Sequence, residues 1–147
     1  MKDNYNNIDI VQAVAPVKVF DDTVPAAKEI DLAGAMSAVI EVSCGAKVAG
    51  DTGTITLKVE HADDDGTGSS GTYANVEKKD MLGVTPASGV ILTLASGAVA
   101  AKTYKFGYVG GKRFIKLTLA EADSNATGTI MGINVIKGHL ENRPPIS

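Results

Sequence analysis

Tryptophan is absent from this 147-residue chain, aromatic residues make up 5% of it, and there is a single cysteine. Each scarcity excludes something. With so few rings, a deep aromatic-lined pocket is disfavoured against a closely packed sheet of small side chains. One thiol, Cys44, allows no internal disulfide, so the fold does not depend on oxidation. Cys44 lies on the core parity of an alternating run and reads as a small buried hydrophobe rather than a reactive group. There are two histidines, His61 and His139, and neither has a metal-ligand partner at a recognisable spacing. His61, at a strand end on the core parity, reads as a structural histidine. No G-x-S-x-G, P-loop or G-x-G-x-x-G phrase occurs. No run approaches the ~18 consecutive apolar residues of a membrane span. The opening MKDNYNNIDI has neither a basic nor an apolar signal region, so the expectation is a protein used without export. Positive charge is also short. A net charge of −3 and a pI near 5.3 argue against a nucleic-acid partner. No catalytic residue, cofactor or metal site is assigned.

What the chain has is small and β-branched residues with a period of two. Met36, Ala38, Ile40 and Val42 share one face of a run, opposed mostly by Ser37, Glu41 and Ser43. Ile55, Leu57 and Val59 share a face of another, with Gly50–Gly53 as the turn between. Val90–Leu94 is a short run. Thr129–Lys137 is apolar on both parities, which predicts a strand covered on both faces, by its own sheets or by a neighbouring subunit. Asp63–Gly71, Pro86–Gly89 and Asp123–Gly128 are loops by composition. Several short strands between turn signals predict an all-β fold, an antiparallel β-sandwich of jelly-roll type with extended N- and C-terminal arms. The sandwich domain spans 21–138, between an extended segment 1–20 and a tail 139–147. Ile8–Val19 is apolar and carries Pro16, which bars it from a central strand. It is either an arm reaching a partner or an edge strand of its own sheet.

Tyr104–Leu119, YKFGYVGGKRFIKLTL, reads as one β-hairpin turned by Gly110–Gly111 at positive φ. In that register Val109 faces Lys112, Tyr108 faces Arg113, Gly107 faces Phe114, Phe106 faces Ile115, and Tyr104 faces Leu117. Phe114 would then lie over the bare backbone of Gly107. Lys105 and Lys116 would face each other, with Lys112 on the same side. Like charges so placed are destabilising. Either carboxylates on an adjoining strand offset them, or the strip meets an acidic partner. Consecutive Asp63, Asp64 and Asp65 lack the alternating ligand spacing of a calcium loop and read as a solvated turn.

The phrase TYKFGYVGGKRFIKLTL, followed by SNATGTIMGINVIKGHLENRPP, resembles a family of small proteins from the head-gene region of tailed bacteriophages. NNIDIVQAVAPV and LKVEHADDDGTGSSGTYANV are also similar to it, so the resemblance covers most of the chain. That family commonly has Trp in the acidic loop, where this chain has Tyr73. The resemblance implies a capsid decoration (cement) protein, a homo-oligomeric dimer or trimer on the virion exterior, made in the host cytoplasm. Its partner would be the major capsid protein, bridged across subunits. Candidate contacts are Tyr5, Ile8, Ile10 and Val11 at one end, Arg143, Pro144, Pro145 and Ile146 at the other, and the Lys105, Lys112 and Lys116 strip. Other readings are a phage tail, adaptor or head-fibre component, or a carbohydrate-binding jelly-roll module.

Overall fold

Alternating aliphatic residues build ten strands in the computed structural model, which describes residues 7–19, 23–123 and 126–140. They are β1 (Ile8–Val19), β2 (Lys28–Asp31), β3 (Ala35–Cys44), β4 (Thr54–Ala62), β5 (Ala74–Asn75), β6 (Met81–Leu82), β7 (Val90–Leu94), β8 (Lys102–Tyr108), β9 (Phe114–Ala122) and β10 (Thr129–Leu140). A 3-10 turn, Lys78–Asp80, precedes β6. One sheet has the order β1-β10-β3-β8-β6. The other runs β2-β9-β4-β5, with β7 also paired to β4. Every pairing is antiparallel.

The two sheets pack face to face as a β-sandwich. Their inward parities, Ile40 and Val42 of β3, Val59 of β4, Ile115 of β9, and Met131, Ile133 and Val135 of β10, are sealed from solvent. Burying each such side chain stabilises the fold by roughly 1.5–3 kcal/mol. The pairs β1·β10, β2·β9, β3·β8 and β4·β7 are nested, each strand meeting its counterpart from the other end of the chain. This is a long antiparallel ribbon rolled across two sheets, the jelly-roll topology.

That topology corrects the hairpin. β8 and β9 lie in different sheets and do not pair; β8 pairs with β3 and β6, and β9 with β2 and β4. In a rolled ribbon, most consecutive strands lie in opposite sheets, so Val109–Arg113 is a crossover and not a tight turn. Neither Gly110 nor Gly111 has a positive φ. Gly110 is needed for a close approach instead: a Cβ there would sit 2.6 Å from the Tyr108 hydroxyl. The pleat of that register puts Phe106, Tyr108, Ile115 and Leu117 on one face, and all four are buried, but Phe114 on the other face is buried as well. Gly107 is covered by Leu82, whose Cβ lies 3.1 Å from where a glycine Cβ would be. Phe114 is buried beneath the Arg113 guanidinium, 4.9 Å from the ring centre.

β1 is the edge strand of the first sheet, paired with β10 from Ile8↔Gly138 to Val19↔Thr129. Register shifts between Gln12 and Val14 and between Val14 and Val17 surround Pro16. Proline lacks the N–H that a regular ladder needs, and an edge with bulges tolerates it.

Candidate interaction surface

The outward faces of the two sheets differ in kind. On the β2-β9-β4-β5 sheet, Glu29, Lys116, Glu60 and Asn75 lie in one transverse row. Lys116 Nζ is 2.9 Å from Glu60 Oε2, and Lys58 Nζ is 3.0 Å from Glu60 Oε1. Glu29 accepts from Tyr73 and Ser70, and those two hydrogen bonds hold its carboxyl below the usual range. Lys116 Nζ also stands 4.0 Å from the centre of the Tyr73 ring. This face is answered within itself.

The outward face of the other sheet has an apolar row across all five strands: Ile10, Ile136, Val39, Gly107 and Leu82 are register partners in turn. Ile10 and Leu82 are each 59% exposed, while Ile136 and Val39 are half-buried. Ile8 extends the patch, and with Ser37, Val39, Ile136 and His139 it borders a groove of about 460 Å³. Ser37 Oγ and His139 Nδ1 lie 3.0 Å apart there. Beside the apolar row runs a polar one, Gln12, Asn134, Glu41 and Lys105, in which Asn134 donates to Glu41 at 2.8 Å. Apolar side chains aligned across a sheet with exposed ends are the kind of surface that interaction sites use.

Of the two covers expected for Thr129–Lys137, the chain's own sheets supply only the inward one. Its inward parity is sealed, but on the outward parity Ile130 is 59% exposed and Ile136 half-buried. The lysine strip does not exist. Lys105 stands opposite Glu41, Lys116 between two glutamates, and Lys112 pairs with Asp63. Two sheets separate what a hairpin would have joined. Asp64 pairs with Arg113, which also makes a bidentate contact with Asp31 at 2.9 and 2.8 Å. That contact holds the Asp31 carboxyl below its ordinary range. Asp65 accepts from Thr67 within its own turn.

Of the candidate contacts, Ile10 is on the exposed row and Ile8 beside it, while Val11 leans on the core. Tyr5, Arg143, Pro144, Pro145 and Ile146 lie outside the described residues. Val39 and Leu82 were not anticipated. Val39 was the one apolar residue on the polar parity of its run, which was the available signal; Leu82, in a two-residue strand, had none.

His61 is buried, with Nδ1 3.0 Å from the Tyr108 hydroxyl. Burial lowers the histidine's pKa and pushes the Tyr108 phenol up to about 12. Cys44 is buried, and desolvation pushes its thiol up to about 11.

The sequence matches no protein-family model and no curated protein. Among solved structures, the fold is similar to the C-terminal family 22 carbohydrate binding module of Clostridium thermocellum Xyn10B. The identity is 10% and the TM-score 0.43, covering 90% of this chain and 81% of that one. It is also similar to the CBM22-1–GH10 modules of the same organism's xylanase, at 15% identity and TM-score 0.40, covering 98% of this chain but 28% of that one. A third likeness is to Eiger TNF from S. frugiperda, at 10% identity and TM-score 0.36, covering 98% of this chain and 92% of that one. At these values no property of those proteins is transferred to this chain.

Proposed function

We propose that this protein is a structural component of a tailed-phage virion that docks on the outside of the capsid through the outward face of the β1-β10-β3-β8-β6 sheet. The observation that carries the reading is the contrast between the two outward faces: one ion-paired within itself, the other crossed by Ile10, Ile136, Val39 and Leu82. The phrases that resemble phage head-region proteins supply the partner, the major capsid protein. Docking would clamp neighbouring shell subunits, and its strength would depend on how well the apolar row is matched rather than on area alone.

The test is co-sedimentation of purified protein with undecorated shells. A Val39→Glu/Leu82→Glu variant puts two charges on the row and is expected to lose shell binding while its thermal melt stays close to that of the parent. Undiminished binding by this folded variant would refute the role given to the face. Copy number in purified particles then separates decoration, with hundreds of copies, from a tail or adaptor component present at a vertex. Protein absent from particles altogether would overturn the virion reading itself.

A further inference from the structure

The edge strand β1 is unevenly protected. Natural sheets blunt their edges with bulges, proline and lysine, because a bare edge templates pairing with another chain. Here all three lie in the second half of β1: the two register shifts, Pro16 and Lys18. The first half, Ile8–Gln12, is in unbroken register with β10 and has none of them. Its one charge, Asp9, is paired across the ladder with Lys137 at 2.6 Å. Among the described residues, no strand lies on its other side.

We infer that two copies of this chain pair antiparallel through Ile8–Gln12 of β1, about a two-fold axis that passes beside Ile10 and is perpendicular to the sheet. Self-pairing with side chains on matching faces allows few centres. Centred on Asp9, the strand would set two like carboxylates opposite each other, which is destabilising. Centred on Val11, it would run into the bulge beyond Gln12. Centred on Ile10, it uses the regular segment end to end: Ile10 meets its own copy, Asp9 meets Val11, and Ile8 meets Gln12. An isologous contact of this kind closes on itself and does not propagate into a fibre.

The geometry has a consequence for docking. An axis perpendicular to the sheet leaves both outward faces on the same side, so the apolar row from Leu82 to Ile10 continues into the second copy. A surface that binds one row then meets two, and the second contact is made at high effective concentration. The pairing itself requires no shell and stands or falls without one.

Cysteine cross-linking tests it in the free protein, since buried Cys44 contributes little background. Opposed α-carbons in such a ladder are about 4.5–5.5 Å apart, within the roughly 4.4–6.8 Å that a disulfide accepts. The Ile10→Cys variant is expected to form a covalent dimer under mild oxidation. Ile8→Cys alone and Gln12→Cys alone are expected not to, because each would lie roughly 14 Å from its own copy. A mixture of those two variants should cross-link. Light scattering should report a dimer for the parent, and Ile10→Lys should weaken it several-fold through like-charge opposition. A parent that is monomeric at the highest soluble concentration would overturn the inference. So would Ile8→Cys cross-linking to itself as readily as Ile10→Cys.

Discussion

Replacing Lys47 with methionine should cost this fold more than any surface lysine does. Lys47 is 2% exposed. Its ammonium donates to three backbone carbonyls: Asp51 at 2.6 Å, Gly53 at 2.8 Å and Ala95 at 3.2 Å. Its own backbone pairs with Val99. The same knot holds the buried Asp51, whose Oδ1 accepts from Thr127 N–H at 2.8 Å and whose Oδ2 has no protein partner. One side chain thus ties the β3–β4 loop to the β7–β8 loop, and Asp51 adds the β9–β10 loop. Methionine preserves most of the volume but donates nothing. Hydrogen bonds to charged groups are worth about 1.5–3 kcal/mol each, and a buried group left unpaired costs its desolvation. Part of that loss is offset, because methionine has no ammonium to desolvate. We therefore expect a loss of about 3–5 kcal/mol by urea unfolding, a large share of the roughly 5–15 kcal/mol available to a domain. At roughly 2–4 °C per kcal/mol for a chain of this size, the melting midpoint should fall by about 10 °C. A loss below about 1 kcal/mol would refute the reasoning.

Gly110→Ala should destabilise by about 1–3 kcal/mol, the usual cost of overpacking, because its Cβ would meet the buried Tyr108 ring end at 2.6–2.7 Å; chemical denaturation measures this. Acidification should weaken the fold in two stages. His61 has a lowered pKa when folded, so the unfolded chain binds the proton first, and stability falls as pH drops below its ordinary value of 6.5. Asp31, Glu29 and Glu60 are likewise lowered, by Arg113, by Tyr73 and by Lys116 respectively. Their contribution is present above the ordinary carboxylate values and is lost as pH falls through the folded ones. Melting curves across pH should resolve both stages, and His61→Gln should remove the upper one alone.

The parity of the longer alternating strands β3, β4, β8, β9 and β10 was legible in the sequence, and the pairing was not; the short β2, β5 and β6 left no alternation to read. Alternation in Ala38–Val42, Ile55–Val59 and Ile115–Leu119 marks which side chains go inward, since a two-residue period leaves a strand one choice of face. It does not say which sheet the face belongs to. Tyr104–Leu119 illustrates the limit: a glycine pair between two alternating runs satisfies the pattern of a tight hairpin and of a crossover equally well. What decides is the distant complement, β3 for β8 and β2 with β4 for β9, and that lies far along the chain. The same ambiguity created the lysine strip and hid its solution, because Glu41, Glu60 and Asp63 are remote in sequence from the lysines they face. Lys47 was invisible for another reason. A lysine between small residues in a loop has the composition of a solvated turn, and only the convergence of three loops makes it a core residue.

The surface assigned here follows from that same rolled topology. Each strand of a jelly roll meets partners drawn from the opposite end of the chain, so a transverse row on a sheet collects residues that no local motif could contain. Ile10, Ile136, Val39 and Leu82 come from four separated segments, and each alone is an unremarkable exposed or half-exposed aliphatic. Only the register makes them a continuous strip. The opposite sheet assembles the same kind of row from Glu29, Lys116, Glu60 and Asn75 and thereby satisfies itself. Folding requires an inward face from both sheets but asks only solubility of the outward ones. An apolar row on one and an ion-paired row on the other therefore asks for a reason besides folding, and the docking proposed above would supply one.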